Sequence, residues 1–347
     1  MSSLPDDQDP TIPKNAGERA ETHAAEAGPV EAWEPEASQP LLAPPEASPA
    51  AEGSEAQDEP QETEPELFQS WWEPEVAASA RIPHFGHLGV LALLAFFGLV
   101  GASLLTRSAL HFHLFGISTV QNAMTDIHYT LGSEAVLYLL TFAGCLLIFP
   151  LIWHKSFFAG LQWNGTTALL LRRRLFSTAL LCFGLAMLNG LLLPGPQDTP
   201  IDKIFRSPGA AWMLFVFGVT FAPFFEELVF RGFLLPALAT AWDWSIERST
   251  GAPARPLDEN GQPQWSFFAM AVGSVCTSLP FALMHAAQTG YSIGPFLLLV
   301  CVSLILCWTR LSTRSLAACV LVHASYNFLL FSLMMLGTGG FRHLERM

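Results

Sequence analysis

Charge is scarce in this sequence: 14% of its 347 residues are charged, against 51% that are hydrophobic. That balance, with a positive mean hydropathy, argues against an ordinary soluble domain and for a chain that crosses a membrane several times. Other absences narrow the chemistry. The six cysteines (Cys145, Cys182, Cys276, Cys301, Cys307 and Cys319) all lie in hydrophobic stretches, and no two are placed as Cys-x-x-Cys. They read as small buried apolar residues, not as a disulfide framework or a thiolate metal site. His-Glu-x-x-His is missing, which removes the usual zinc-protease helix. Gly-x-Ser-x-Gly is missing too, and Ser274 in "AVGSVC" has no clear basic partner. No aspartate, Asp126 included, lies inside a strongly hydrophobic segment, which argues against a membrane aspartyl dyad. The opening "MSSLPDDQDP" is acidic and has no apolar run, so no signal peptide is expected.

The charge that is present is unevenly spread. Residues 1–80 hold 19 of the 30 acidic residues, with Lys14 and Arg19 as their only basic ones. Pro, Ala, Glu and Gln dominate this tail, apolar periodicity is absent, and disorder is expected. Its charge suits either a solvated spacer or a partner-binding tail. Trp71 and Trp72, near its end, suit a membrane interface. The expected organisation is a disordered tail (1–80), N-terminal transmembrane helices (81–204), a catalytic membrane domain (205–335) and a short C-terminal tail (336–347).

A span needs about 20 residues to cross a hydrocarbon core of about 30 Å. Seven stretches qualify or nearly do: 88–106, 134–153, 175–194, 210–235, 267–287, 293–309 and 315–337. The predicted fold is therefore an all-α polytopic bundle of seven to eight spans. The eighth would come from a re-entrant or interfacial helix within 107–133 or 155–172. Residues 241–265, rich in turn formers and mixed charge, read as an extramembrane loop. Basic residues near the span ends number nine on the N-terminal side and five on the other, with Arg172–Arg174 and Arg310 among the nine. That bias places the N-terminus in the cytoplasm.

Ionisable groups inside a membrane are costly and usually face a bundle interior or a cavity. Three segments carry them. In "FAPFFEELVFRGFL", Glu227 and Arg231 are four apart and stack as an ion pair, while Glu226 points about 100° away, unclaimed by that pair. In "LPFALMHAAQ", Phe281 and His285 share a face; in "CVLVHASYNFLL", His323 and Asn327 do. Each alone has a bland reading, as a structural clip or as helix-to-helix glue. Together they concentrate the titratable groups of the apolar segments in one place. His111, His113, His128 and His154 fall in loops or at segment ends and read as surface residues, although His111 and His113 together suit weak metal binding.

A carboxylate with an imidazole can deprotonate a water, and Asn with a second His can stabilise an oxyanion, which together serve amide hydrolysis. The same Glu226, His285 and His323 are also possible zinc ligands. Asn is a poor zinc ligand, which favours direct water activation with no cofactor required. On straight helices Glu226 and His285 would stand about 9 Å apart along the membrane normal. Tilt or a break at Pro223 or Pro280 would have to close that gap.

These residues resemble a known family. "EELVFR" followed by Gly232, then "FALMH", then "HASYN" are similar to the motifs Glu-Glu-x-x-x-Arg, Phe-x-x-x-His and His-x-x-x-Asn of the CAAX protease and bacteriocin-processing family. That family of membrane-embedded peptidases includes the type II CAAX prenyl endopeptidase. The resemblance covers roughly residues 205–335. It implies that Glu226 activates water with His285, that His323 and Asn327 stabilise the oxyanion, that Glu227 and Arg231 support the site, and that Phe281 packs beside it. It further implies a helical membrane bundle with a cavity open toward the cytoplasm or the lipid. Members are often described as metalloproteases, yet the pattern also supports a metal-free glutamate mechanism.

The expected partners are the lipid bilayer and a membrane-associated or lipid-anchored protein or peptide, cut near the cytoplasmic interface; nucleic acid is not among them. The expected location is an integral membrane one, the cell membrane if the source is prokaryotic. Two other readings fit the composition: a non-catalytic immunity or scaffold protein, and a proton- or metal-coupled transporter. No internal repeat supports transport, since the glutamate segment has no counterpart in the N-terminal half.

Overall fold

The computed structural model describes residues 82–193, 208–258 and 264–342. The expected acidic tail and the last five residues lie outside the described residues. What is described is all-helical. Helices α1 (Phe85–His111), α2 (Ile127–Trp153) and α3 (Arg172–Leu192) come first. Next, α4 (Pro208–Val219), α5 (Phe221–Glu227), a π-helical turn (Leu228–Leu234) and α6 (Leu235–Thr250) run on as one bent rod. Helices α7 (Phe267–Met284), α8 (Ile293–Thr313) and α9 (Leu316–Gly337) complete the bundle. Among the described residues, seven helices, the bent rod counted as one, are long and apolar enough to cross a membrane. Short helical turns at Val120–Ala123 and Phe157–Gly160 occupy the two regions expected to hold an interfacial helix.

Local chemistry sets the helix ends. The Asp126 carboxylate accepts from the backbone N–H groups of His128 and Tyr129 and starts α2. Ser266 and Ser315 do the same for α7 and α9. Gly251 (φ 69°) ends α6 in the left-handed region, and its N–H returns to the Glu247 carbonyl. The expected loop over 241–265 is thus corrected. "AWDWSIERST" contains no Gly or Pro, so the helix continues to Thr250 and the loop begins only at Gly251. Asp243, buried within this extension, accepts from the Ser266 backbone N–H at 2.8 Å and ties α6 to the start of α7.

Two apolar clusters hold the bundle. Leu175, Ala179 and Cys182 of α3 pack with Leu306 of α8 and Val322 of α9. Phe149 and Trp153 of α2 pack with Phe157 and with Phe233 of the π-helical turn. Helices α1 and α2 approach so closely that a Cβ at Gly98 would stand 2.6 Å from Thr141 Oγ1, a contact only glycine avoids. The outer faces are as greasy as the core: Phe97 is 61% exposed and Leu147 71%. Such surface suits hydrocarbon and not water, so this is an integral membrane protein. Cys145, Cys182, Cys307 and Cys319 are buried as expected, whereas Cys276 and Cys301 lie on exposed faces of their helices. His111, His113, His128 and His154 are all exposed.

Candidate functional site

The bent rod brings the polar residues together. Helical geometry breaks at Thr220 (φ −113°, ψ −68°), and the helix then widens over Leu228–Leu234. A π-helical turn shifts the phase of the residues that follow and is frequent at functional sites. The imidazole of His285, at the C-terminal cap of α7, reaches Glu226: Nε2 lies 3.7 Å from Oε1. At this distance the offset expected from straight helices is absent. On the other side, His323 Nε2 lies 3.8 Å from Glu226 Oε2. The carboxylate therefore stands between two imidazoles, and its Oε2 is buried with no hydrogen-bond partner among the described residues.

The other ring nitrogens are already engaged. His285 Nδ1 lies 2.9 Å from the Phe281 carbonyl, and His323 Nδ1 lies 2.9 Å from Glu227 Oε1. A carbonyl and a carboxylate only accept, so both Nδ1 atoms donate. In the neutral rings both Nε2 lone pairs then face Glu226. The expected pairing of Glu227 with Arg231 is present at 2.9 Å, with both side chains fully buried. Sequence reasoning did not give Glu227 its second duty, orienting His323. Phe281 sits among these groups: Arg231 lies over its ring at 4.7 Å, and the ring centroids of His285 and His323 are 4.9 and 6.0 Å away. Asn327 lines the same cavity, and its Nδ2 donates to the Gly218 carbonyl at 2.8 Å, which leaves a second amide hydrogen.

Four further residues were not singled out from the sequence. Ser303 accepts from Arg231 Nη2 through both its carbonyl and its hydroxyl. Arg310, counted as a loop-side basic residue, is instead buried. Its Nε donates to the Arg231 carbonyl within the π-helical turn, and its other nitrogens bond Gln162 and the Leu161 carbonyl. A widened turn weakens the backbone ladder, and this guanidinium satisfies a carbonyl there. Glu134 and Tyr138 of α2 are bonded to each other at 2.7 Å, and Glu134 reaches the cavity wall. Their signal was an acid and a tyrosine four apart, masked because the expected span began at Glu134 itself.

The cavity holds about 380 Å³. Its lining comes from the start of α2, from the second half of α4 and from α5, from the end of α7, and from α8 and α9, and it reaches the end of the bundle where α2 begins and α7 ends. That end is reached after one crossing by α1, so it lies across the membrane from Phe85. As for metal, the donor types suit zinc, but among the described residues no three His, Cys, Asp or Glu side chains stand in a metal-holding group.

Fold and cavity together define a polytopic membrane protein with a buried Glu–His site open to one end of its bundle. The family described as "Type II CAAX prenyl endopeptidase Rce1-like" matches residues 208–329, a stretch that contains every motif residue from Glu226 to Asn327. This region of the chain is thus similar to membrane proteases of the CAAX type. No curated protein and no solved structure gives a significant match.

Proposed function

We propose that the protein is an intramembrane endopeptidase that hydrolyses a peptide bond of a membrane-associated or lipid-anchored substrate. The observation that carries this reading is the pair of imidazole Nε2 atoms facing one carboxylate, at 3.7 and 3.8 Å, on the wall of an otherwise apolar cavity. A scaffold has no need of a buried carboxylate between two oriented imidazoles; a proton-coupled transporter would also use such a set, but the sequence has no internal repeat to support transport. Residues of the matched region supply the whole set.

In this mechanism Glu226 takes a proton from a water whose oxygen attacks the carbonyl carbon of the scissile bond. The carbonyl π electrons move to oxygen. Asn327 offers its second amide hydrogen to that oxyanion. A donor role for His323 requires hydrogen on Nε2 as well as on Nδ1, hence the imidazolium, which the carboxylates of Glu226 and Glu227 flank. As the tetrahedral intermediate collapses, the C–N bond breaks and the proton held by Glu226 passes through His285 to the departing nitrogen. Arg231 and Glu227 keep the second imidazole in register. No step is routed through a metal.

Orientation follows the basic residues. With Arg310 buried, the count is eight against five, still in favour of a cytoplasmic N-terminus. With that orientation the cavity end of the bundle faces away from the cytoplasm; the reverse orientation keeps the expected cut near the cytoplasmic interface.

The deciding experiment is Glu226→Gln in full-length protein, purified and reconstituted, assayed against a library of membrane-anchored peptides. Cleavage by the wild type and its loss in the variant, by about 10²-fold or more at unchanged thermal stability, is the expected result. Cleavage that survives in Glu226→Gln removes the base, and a wild type that cuts nothing returns the protein to the scaffold and transporter readings.

A further inference from the structure

Two carboxylates, not one, reach the cavity. Glu134, on the second turn of α2, is half-buried and lies within electrostatic reach of Glu226 and His285. Its Oε1 accepts from the Tyr138 hydroxyl at 2.7 Å, and the tyrosine ring is itself fixed by stacking on Phe225 at 4.6 Å. The phenol thus sets the direction of the carboxylate and leaves its second oxygen for a ligand. Glu134 is not a second water-activating base, because both imidazoles face Glu226.

The charge balance of the cavity is one-sided. Glu227 is neutralised by Arg231, and that guanidinium lies behind Phe281, over the ring and not in the cavity. Among the described residues no lysine or arginine lines the cavity. The rest of the wall is largely apolar, with Leu214, Phe217, Leu299 and Leu330 in it. Two carboxylates facing one low-dielectric space repel, and an entering cation relieves that repulsion. A free α-carboxylate would add a third negative group, and the one cation it could meet, the His323 imidazolium, is already flanked by Glu226 and Glu227.

We propose that Glu134 determines specificity: it receives a lysine or arginine side chain of the substrate, so that the site favours peptides with a basic residue beside the scissile bond over peptides ending there in a free carboxylate. This rests on the peptidase reading and names its substrate class. Glu134 acts by holding a substrate cation next to the reacting centre, and the apolar wall takes the neighbouring hydrophobic residues or a lipid-like anchor.

The test uses full-length protein in nanodiscs and acetylated membrane-anchored peptides that differ only in lysine, norleucine or glutamate at each position flanking the cleaved bond. A matching set carries an amidated or a free C-terminus. Expected for the wild type is a kcat/KM for the best lysine peptide about tenfold or more above its norleucine counterpart. That ratio falls to about one in Glu134→Gln, is kept in Glu134→Asp, and turns in favour of glutamate in Glu134→Lys. An unchanged ratio in Glu134→Gln, or a wild-type preference for the free C-terminus, overturns the proposal. Fluorescence anisotropy of the same peptides separates this failure from failure of the peptidase reading. Lysine-dependent binding that is lost in Glu134→Gln without any cleavage sinks the hydrolase and leaves the cation site standing. Binding indifferent to lysine sinks the cation site.

Discussion

Glu227 and His323 meet at a single oxygen: Glu227 Oε1 accepts from His323 Nδ1 and from Arg231 Nη1, each at 2.9 Å. One buried carboxylate thus neutralises a cation and fixes an imidazole. Glu227→Ala removes both functions at once and leaves Arg231, fully buried, without its counter-charge. The expected loss is about 3–5 kcal/mol of stability, read as a fall in the thermal midpoint of the detergent-solubilised protein. Glu227→Gln keeps one acceptor oxygen and is expected to unfold at a higher temperature than the alanine variant, with cleavage still impaired. Equal midpoints for wild type and Glu227→Ala would show that the pair holds nothing together.

Asn327 separates binding from chemistry. In the proposed mechanism its free amide hydrogen meets charge that develops only in the transition state, so Asn327→Ala is expected to lower kcat by about 10²-fold with little change in KM. The lost bond to the Gly218 carbonyl has a different signature, a small drop in thermal midpoint. A variant with raised KM and normal kcat would make Asn327 a substrate contact and remove it from the oxyanion role.

The zinc alternative has its own readout. Glu226, His285 and His323 are the ligands it requires, and they do not form a metal-holding group among the described residues. Cleavage is therefore expected to persist after prolonged incubation with a strong zinc chelator followed by gel filtration. Activity lost on chelation and restored by added zinc would reverse this and give Glu226 a ligand's role.

Much of this was legible in the sequence because membrane segments announce themselves by composition. The seven spans needed only hydropathy, and a pair such as Glu227 and Arg231 needed only helical spacing. Three-dimensional convergence was not legible. Nothing in "EELVFRGFL" marks a π-helical turn, since its stability comes in part from Arg310, 79 residues away, bonding the Arg231 carbonyl. Arg310 shows the same limit: a charge at the end of an apolar run looks solvent-facing until its acceptors are known. Residues 241–250 were given to a loop by their polarity, although helices that leave a membrane continue as polar helices until a Gly or Pro stops them. Glu134 is silent in the sequence because an acid at a span edge carries no local clue to the wall it faces.

Orientation can be tested at two exposed positions at opposite ends of the bundle. Tyr291 follows α7 at the cavity end and is 81% exposed, while Ala252 follows α6 at the other end and is also exposed. In intact cells a membrane-impermeant maleimide is expected to label Tyr291→Cys above the background of the native cysteines. Ala252→Cys is expected to react only after the membrane is opened. The reverse pattern would place the cavity in the cytoplasm and the N-terminal end of α1 outside. The arginine run at 172–174, on the Ala252 side, would then face outward against the usual charge bias, and the cut would fall near the cytoplasmic interface.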